Sequence, residues 1–398
     1  MLKRFISLFS FCIILAAHLS AGMLSLDDTA LKILKESPGF KLQDLSLEAS
    51  SASLSTEANL PDPEISGEYL VMPEDVVNRW ALQLSWDLEW PGVYGSRKNE
   101  AKAKLSAAQK AVAMQRAEAL AEIKDLLLDY IRSAQKIRLL EELSQNNDSI
   151  YRLAEQAARG GEMTVLDLNK VKLEYANIRV GMAALKDEQA EAVANLAEIY
   201  GGDPYPLLQQ MKCEFPPVVM PDPRDIDTFI KNAPAVQNAR AEVEIAKSAK
   251  KVATMEALPS ISVGYKHAYE DWMHFNGATF GISVPIFSSH GKQKEAKAAI
   301  KEAEFNAEAT TLKIDSEISA SLNRLSQIVE QINEIAPIVE HLDYNSALLK
   351  AYKGGVITLI EYISDRNYFT TAAIELVSLR HNAAKTLAFL QRYCNSGF

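Results

Sequence analysis

The chain has 398 residues and a formal charge of −10, with 42 Lys and Arg against 52 Asp and Glu. An acidic surface repels phosphate backbones, so nucleic acid is excluded as a partner. Apolar residues make up 48% of the sequence, enough for a sizeable core, yet no stretch beyond the N-terminus is apolar for the roughly 18 residues that a membrane helix needs.

Lys3 and Arg4 precede the apolar run Phe5 to Ala17, and Ser20-Ala21-Gly22 offers small residues to a signal peptidase, so residues 1–22 read as a secretory signal. Cys12 follows Phe11 inside that run, which does not suit lipid attachment. Removing the two cations takes the formal charge from −10 to −10 − 2 = −12. An exported chain with no spanning helix is periplasmic, secreted or inserted as a β-barrel.

The mature sequence states one pattern twice, about 195 residues apart. The first repeat is assigned to 23–202, a linker to 203–225 and the second repeat to 226–398, each repeat reading helix, hairpin, long helix, tight turn, helix. Leu60-Pro61-Asp62-Pro63 leads into residues 64–72, where Glu64, Ser66 and Glu68 alternate with Ile65, Gly67, Tyr69 and Val71. Residues 80–90 alternate Trp80, Leu82, Leu84, Trp86, Leu88 and Trp90 with Ala81, Gln83, Ser85, Asp87 and Glu89, which is the period of a strand. Gly95 then opens a helix expected from Lys98 to about Ala158, with Leu120, Ile123, Leu127, Tyr130, Ala134 and Ile137 in coiled-coil rhythm. At 1.5 Å per residue, roughly 60 residues make a rod about 90 Å long. Gly160 and Gly161 allow a reversal, and Thr164 is placed to cap a returning helix that runs to about Tyr200. Pro204, Pro206, Pro216, Pro217, Pro221 and Pro223 mark the linker.

The second copy repeats this order. Ile261, Val263, Tyr265 and Tyr269 alternate with Ser260, Ser262, Lys266 and Glu270, and Phe280, Ile282, Val284 and Ile286 with Thr279, Gly281 and Ser283. Gly291 opens the helix from Lys292 to Tyr352, in which Pro337 should bend the rod or remove one hydrogen bond. Gly354, Gly355 and Thr358 form the second tip, and the last helix runs to Tyr393.

On a soluble core such hairpins would be ordinary amphipathic sheet. Three Trp on one strand of near-bilayer length, in an exported chain, move the reading toward lipid, with Trp80, Trp86, Trp90, Tyr69, Tyr265 and Phe280 as lipid-facing residues. The opposite face, with Glu64, Glu68, Asp87, Glu89 and Glu270, is expected to line a lumen that prefers cations. Four strands are too few to close a barrel and open edges cannot face lipid, whereas three copies would supply 12 strands.

His267, His274 and His290 flank the second hairpin and read as exposed loop histidines, because no carboxylate or thiol clusters with them as a metal site requires. Neither a catalytic motif nor a phosphate loop is present, so no enzyme activity, cofactor or metal is expected. Cys213 and Cys394 remain after export, each following the returning helix of its copy. A disulfide between them is left open, since it needs Cα atoms within about 7 Å.

The repeat, both hairpins and the two Gly-x-x-Thr tips resemble the TolC family of outer-membrane efflux proteins over about residues 26 to 394. Leu88-Glu89-Trp90-Pro91-Gly92 followed by Arg97 is similar to the branch that exports heavy-metal cations. The resemblance implies a mixed α and β membrane protein: a homotrimer with a 12-stranded β-barrel in the bacterial outer membrane, continued by a periplasmic α-helical barrel. It implies a passive exit duct of a tripartite efflux or type I secretion system, docking through Gly160, Gly161, Thr164, Gly354, Gly355 and Thr358 to a periplasmic adaptor and an inner-membrane efflux pump. It also makes Glu361 an acidic gate residue and Asp167 its repeat equivalent, while Ser364 departs from a second acidic site and Asp365 stands one place later. A soluble periplasmic coiled-coil adaptor is the rival reading: it explains the rods but not two Trp- and Tyr-rich hairpins.

Overall fold

The structure, a computed structural model, describes residues 23–57, 59–73, 77–145, 147–287, 291–340 and 344–394. The expected signal at 1–22 and His290 lie outside these residues.

The first helix, α1 (Leu26–Glu36), starts at Ser25, whose Oγ accepts the Asp28 N–H at 3.1 Å, and it buries Leu26, Ala30, Ile33 and Leu34 at helical spacing. It is followed by α2 (Pro38–Ser53), which buries no side chain. Strands β1 (Glu64–Leu70), β2 (Arg79–Leu88), β3 (Ser260–Glu270) and β4 (Met273–Ser283) form one antiparallel sheet in the order β1-β2-β3-β4. The two hairpins therefore join through β2 and β3, in register from Trp80↔Tyr269 to Leu88↔Ile261. This leaves β1 and β4 as open edges of the chain's sheet. Asp271 (φ 51°) and Trp272 (φ 67°) make the two-residue turn between β3 and β4, both in the left-handed region that such hairpin turns require.

The long helices are α3 (Pro91–Gln145), α4 (Asn147–Arg159) and α5 (Val165–Tyr200), then, after the second hairpin, α9 (Lys292–Glu340), α10 (Tyr344–Lys353) and α11 (Leu359–Cys394). Between the copies lie α6 (Tyr205–Leu208), a 3-10 turn at Pro223–Asp225, α7 (Ile226–Asn232) and α8 (Pro234–Met255). Two expectations change. The rod of the first copy begins at Pro91 and not at Gly95, because proline's fixed φ suits the first helical position, where no N–H partner is needed. The proline-rich stretch is also partly core: Leu207, Leu208 and Met211 are buried, and Leu24 pairs with it through Leu24 N–H to Gln210 O at 2.8 Å and Lys212 N–H to Leu24 O at 3.0 Å.

Two compact units gather these elements. One takes the described residues up to Lys41 with Arg116–Ile226 and Glu317–Cys394, and the other takes Leu42–Gln115 with Asp227–Ser316. Each unit draws on both sequence copies. The first is centred on Ile33, Ile123, Leu127, Leu128, Ile131 and Leu196, all fully buried. The second holds the sheet. Cys213 is a free, exposed thiol, so the disulfide left open by the sequence is not formed. Among the described residues no helix is long and apolar enough to cross a membrane.

Candidate functional site: sheet faces and helix tips

Strand register sorts the sheet into two faces. Ile65, Tyr69, Trp80, Leu82, Leu84, Trp86, Val263, Tyr265, Phe280 and Ile282 share one of them. Ile65 is 72% exposed and Phe280 82%, so this apolar face is open to whatever surrounds the chain. Its rings gather at both ends. Near the β3–β4 turn, Trp80 lies 5.2 Å from His267, His267 stacks on His274 at 5.3 Å, and Tyr269 sits 4.9 Å from His274. At the other end, Trp86 Nε1 donates to Pro61 O at 2.7 Å, and Trp90 follows just past the strand. Between these ends lie Leu82, Leu84 and Ile65, with Tyr265 and Asn276 in the same rows. His267 and His274 are thus strand residues among aromatics and not loop residues. Asn276 Oδ1 accepts from Tyr265 at 2.8 Å and lies 2.5 Å from His267 Nδ1, which makes that nitrogen the donor.

The other face is polar, with less free charge than its carboxylates promise. Glu270 pairs with Arg79 at 2.6 Å. Glu89 lies past the end of β2 and is held by both Arg97 nitrogens, at 2.5 and 2.8 Å. Arg97 also reaches Glu256 at 2.9 Å, and that bond holds the Glu256 carboxyl below the usual range. Among the described residues Glu64, Glu68 and Asp87 make no ion pair, and the cations on their face are Arg79, already paired, and Lys266, so the face stays net negative. The phrase from Leu88 to Gly92 with Arg97 ties strand to helix at this corner.

In the other unit, each tip closes by one device. Gly161 (φ 77°) and Gly355 (φ 67°) adopt the left-handed conformation that ends a helix, and the next N–H reaches back, Glu162 to Ala157 O and Val356 to Ala351 O, both at 2.9 Å. Thr164 Oγ1 accepts the Asp167 N–H at 3.1 Å and donates to Asp167 Oδ2 at 2.8 Å. In the second tip, Glu361 Oε2 accepts from the Thr358 N–H at 2.8 Å and from the Thr358 hydroxyl at 2.9 Å, a reciprocal capping box. These bonds hold both carboxyls below the ordinary range, led by the Thr164 side chain for Asp167 and by the Thr358 backbone for Glu361. Asp365 is exposed one turn further along α11. Val165, Leu166 and Val356 are more than 70% exposed at the tips, whereas Ile150, Ala154, Val171, Tyr362 and Ile363 pack both tips into one core.

Sequence patterns did not single out Arg366. It is 4% exposed, donates to the Leu143 carbonyl at 3.0 Å and lies 5.7 Å over the Tyr362 ring, tying α11 to the end of α3. A second tie joins the same helices, where His381 hydrogen-bonds Asp129 at 2.8 Å and Lys385 lies 3.2 Å from it. Burial works to raise the Asp129 carboxyl, but the hydrogen bond and the cation outweigh it and leave it lowered.

A sequence model described as outer membrane efflux protein matches residues 44–202. No curated protein matches the sequence. Among solved structures, a membrane protein from Pseudomonas aeruginosa is similar at 16% identity and TM-score 0.77, over 94% of this chain and 90% of that one. The CmeC outer membrane channel of Campylobacter jejuni is similar at 16% and 0.75, over 93% and 86%. The outer membrane protein VceC of Vibrio cholerae is similar at 15% and 0.73, over 92% and 95%. At these identities the likeness is one of fold. The fold of the whole chain is shared with these solved membrane proteins. The family match itself rests on residues 44–202, which carry the first hairpin, the first rod and its tip.

Proposed function

We propose that three copies of this chain close a 12-stranded barrel and act as a passive exit duct, receiving its passengers from an inner-membrane pump through a periplasmic adaptor. The observation that carries this reading is the four-stranded sheet with one apolar face and two open edges. Unpaired strand edges are not tolerated in lipid, and pairing β4 of one copy with β1 of the next removes them. The repeats at 23–202 and 226–398, joined at 203–225, each supply a hairpin and a tip. The exposed Val165, Leu166 and Val356 beside the tip glycines offer the adaptor its apolar contacts. The corner residues from Leu88 to Arg97 are engaged in holding strand to helix, so their likeness to the heavy-metal branch assigns no passenger.

Asp167, Glu361 and Asp365 are the gate candidates. Two of them also cap helices, so alanine variants would confound charge with capping, while Asp167→Asn, Glu361→Gln and Asp365→Asn keep side chains able to accept the cap bonds. In planar bilayers the wild type should pass cations in preference to anions and be blocked by trivalent cations. The triple amide variant should lose most of that block at unchanged thermal stability. Retained block would move the gate elsewhere, and anion preference would contradict the polar face as lumen.

A further inference from the structure

Large apolar side chains on the polar face of the sheet are confined to its end nearest the β3–β4 turn. Leu70 (45% exposed), Met273 (55%) and Phe275 (49%) stand there, in the last two rows of the strands. They are not strays of the lipid face. Alternation places Leu70 with Glu68, and pairing places Met273 opposite Glu270 and Phe275 opposite Ala268, all on the side that carries Gln83 and Lys266. The remaining rows hold Gly, Ser, Thr, Gln or charged residues, so an apolar molecule would find nothing to rest on below. Beside Phe275, Ala268 and Ala81 leave a shallow floor, and a side chain added at Gly277 would meet open space. Glu68 shares that row, and the Arg79–Glu270 pair at 2.6 Å lies in the next.

Resting on the trimeric duct proposed above, we propose that Leu70, Met273 and Phe275 of the three copies form an apolar collar at the outer mouth, which holds the apolar part of an amphiphilic organic cation before release. Closing β4 of one copy on β1 of the next brings Phe275 and Met273 beside the neighbour's Leu70 and Glu68, so each copy completes the next one's contact. Ring and chain then leave water on Phe275 and Met273 while the ammonium group meets Glu68.

Two probes of equal charge test it, tetramethylammonium and benzyltrimethylammonium, added to the barrel side of the trimer in a planar bilayer. The aromatic probe should block the current at about a tenth of the concentration that the plain one needs. Leu70→Ser with Met273→Ser and Phe275→Ser should abolish the difference and leave tetramethylammonium unchanged. Phe275→Ser alone makes the same comparison with one side chain altered, and Phe275→Leu should keep most of the preference. Equal block of the wild type by both probes, or an undiminished preference in the serine variants, overturns the collar. A wild type that passes no current overturns the duct itself, and the collar with it.

Discussion

Leu84→Lys should abolish the heat-labile trimer, and Ser85→Lys, one residue on, should leave it intact. Leu84 lies in the middle of β2 on the apolar face, between Ile65 and Tyr265, and is 47% exposed. A lysine facing the middle of a bilayer costs about 2–4 kcal/mol, and a closed trimer carries three of them. Ser85 sits on the polar face between Glu64 and Gly264, where an ammonium meets water and a carboxylate. Unheated gels of detergent-extracted membranes read the difference directly. Equal trimer yields from both variants would show that the apolar face does not meet lipid.

Gly161→Val together with Gly355→Val should stop export while the trimer still assembles. Both glycines have positive φ, where an L-residue costs about 1–2 kcal/mol and a β-branched one more. A Cβ at either position meets open space, so the damage is to backbone conformation and not to packing. Relaxing that strain re-aims Val165, Leu166 and Val356, the proposed adaptor contacts. Gly160→Ala is the control: its Cβ would stand 3.5 Å from Gln156 O, an ordinary contact, so it should export almost normally. Loss of the trimer in the double variant would assign these glycines to folding instead.

Strand period, rod rhythm and tip chemistry were legible in the residues because each rests on local spacing. Trp80 to Leu88 alternates without a break, and the Gly-Gly-x-x-Thr tips carry their own turn and cap. The second hairpin was only half legible. Its turn is Asp271-Trp272, two side-chain-bearing residues at positive φ, where glycine or asparagine would have announced it. Without that signal β4 reads from Thr279 onward, so Met273, His274 and Phe275 fall outside its alternation. Pairings across long separations were equally hidden, since Arg97 meets Glu256 and Arg366 meets Leu143 only once the chain has folded. Arg97 likewise holds Glu89 and Arg79 holds Glu270, so these two carboxylates leave less free charge on the polar face than their sequence positions imply.

Single cysteines at 82, 83, 84 and 85, in a chain whose Cys213 and Cys394 are changed to Ser, test the central claim most directly. The trimer is reconstituted in lipid and treated with a water-soluble maleimide. Gln83→Cys and Ser85→Cys should react readily and Leu82→Cys and Leu84→Cys barely, because alternate residues meet the water column and the bilayer. Uniform labelling of all four positions would contradict a sheet that crosses the membrane with its polar face turned inward.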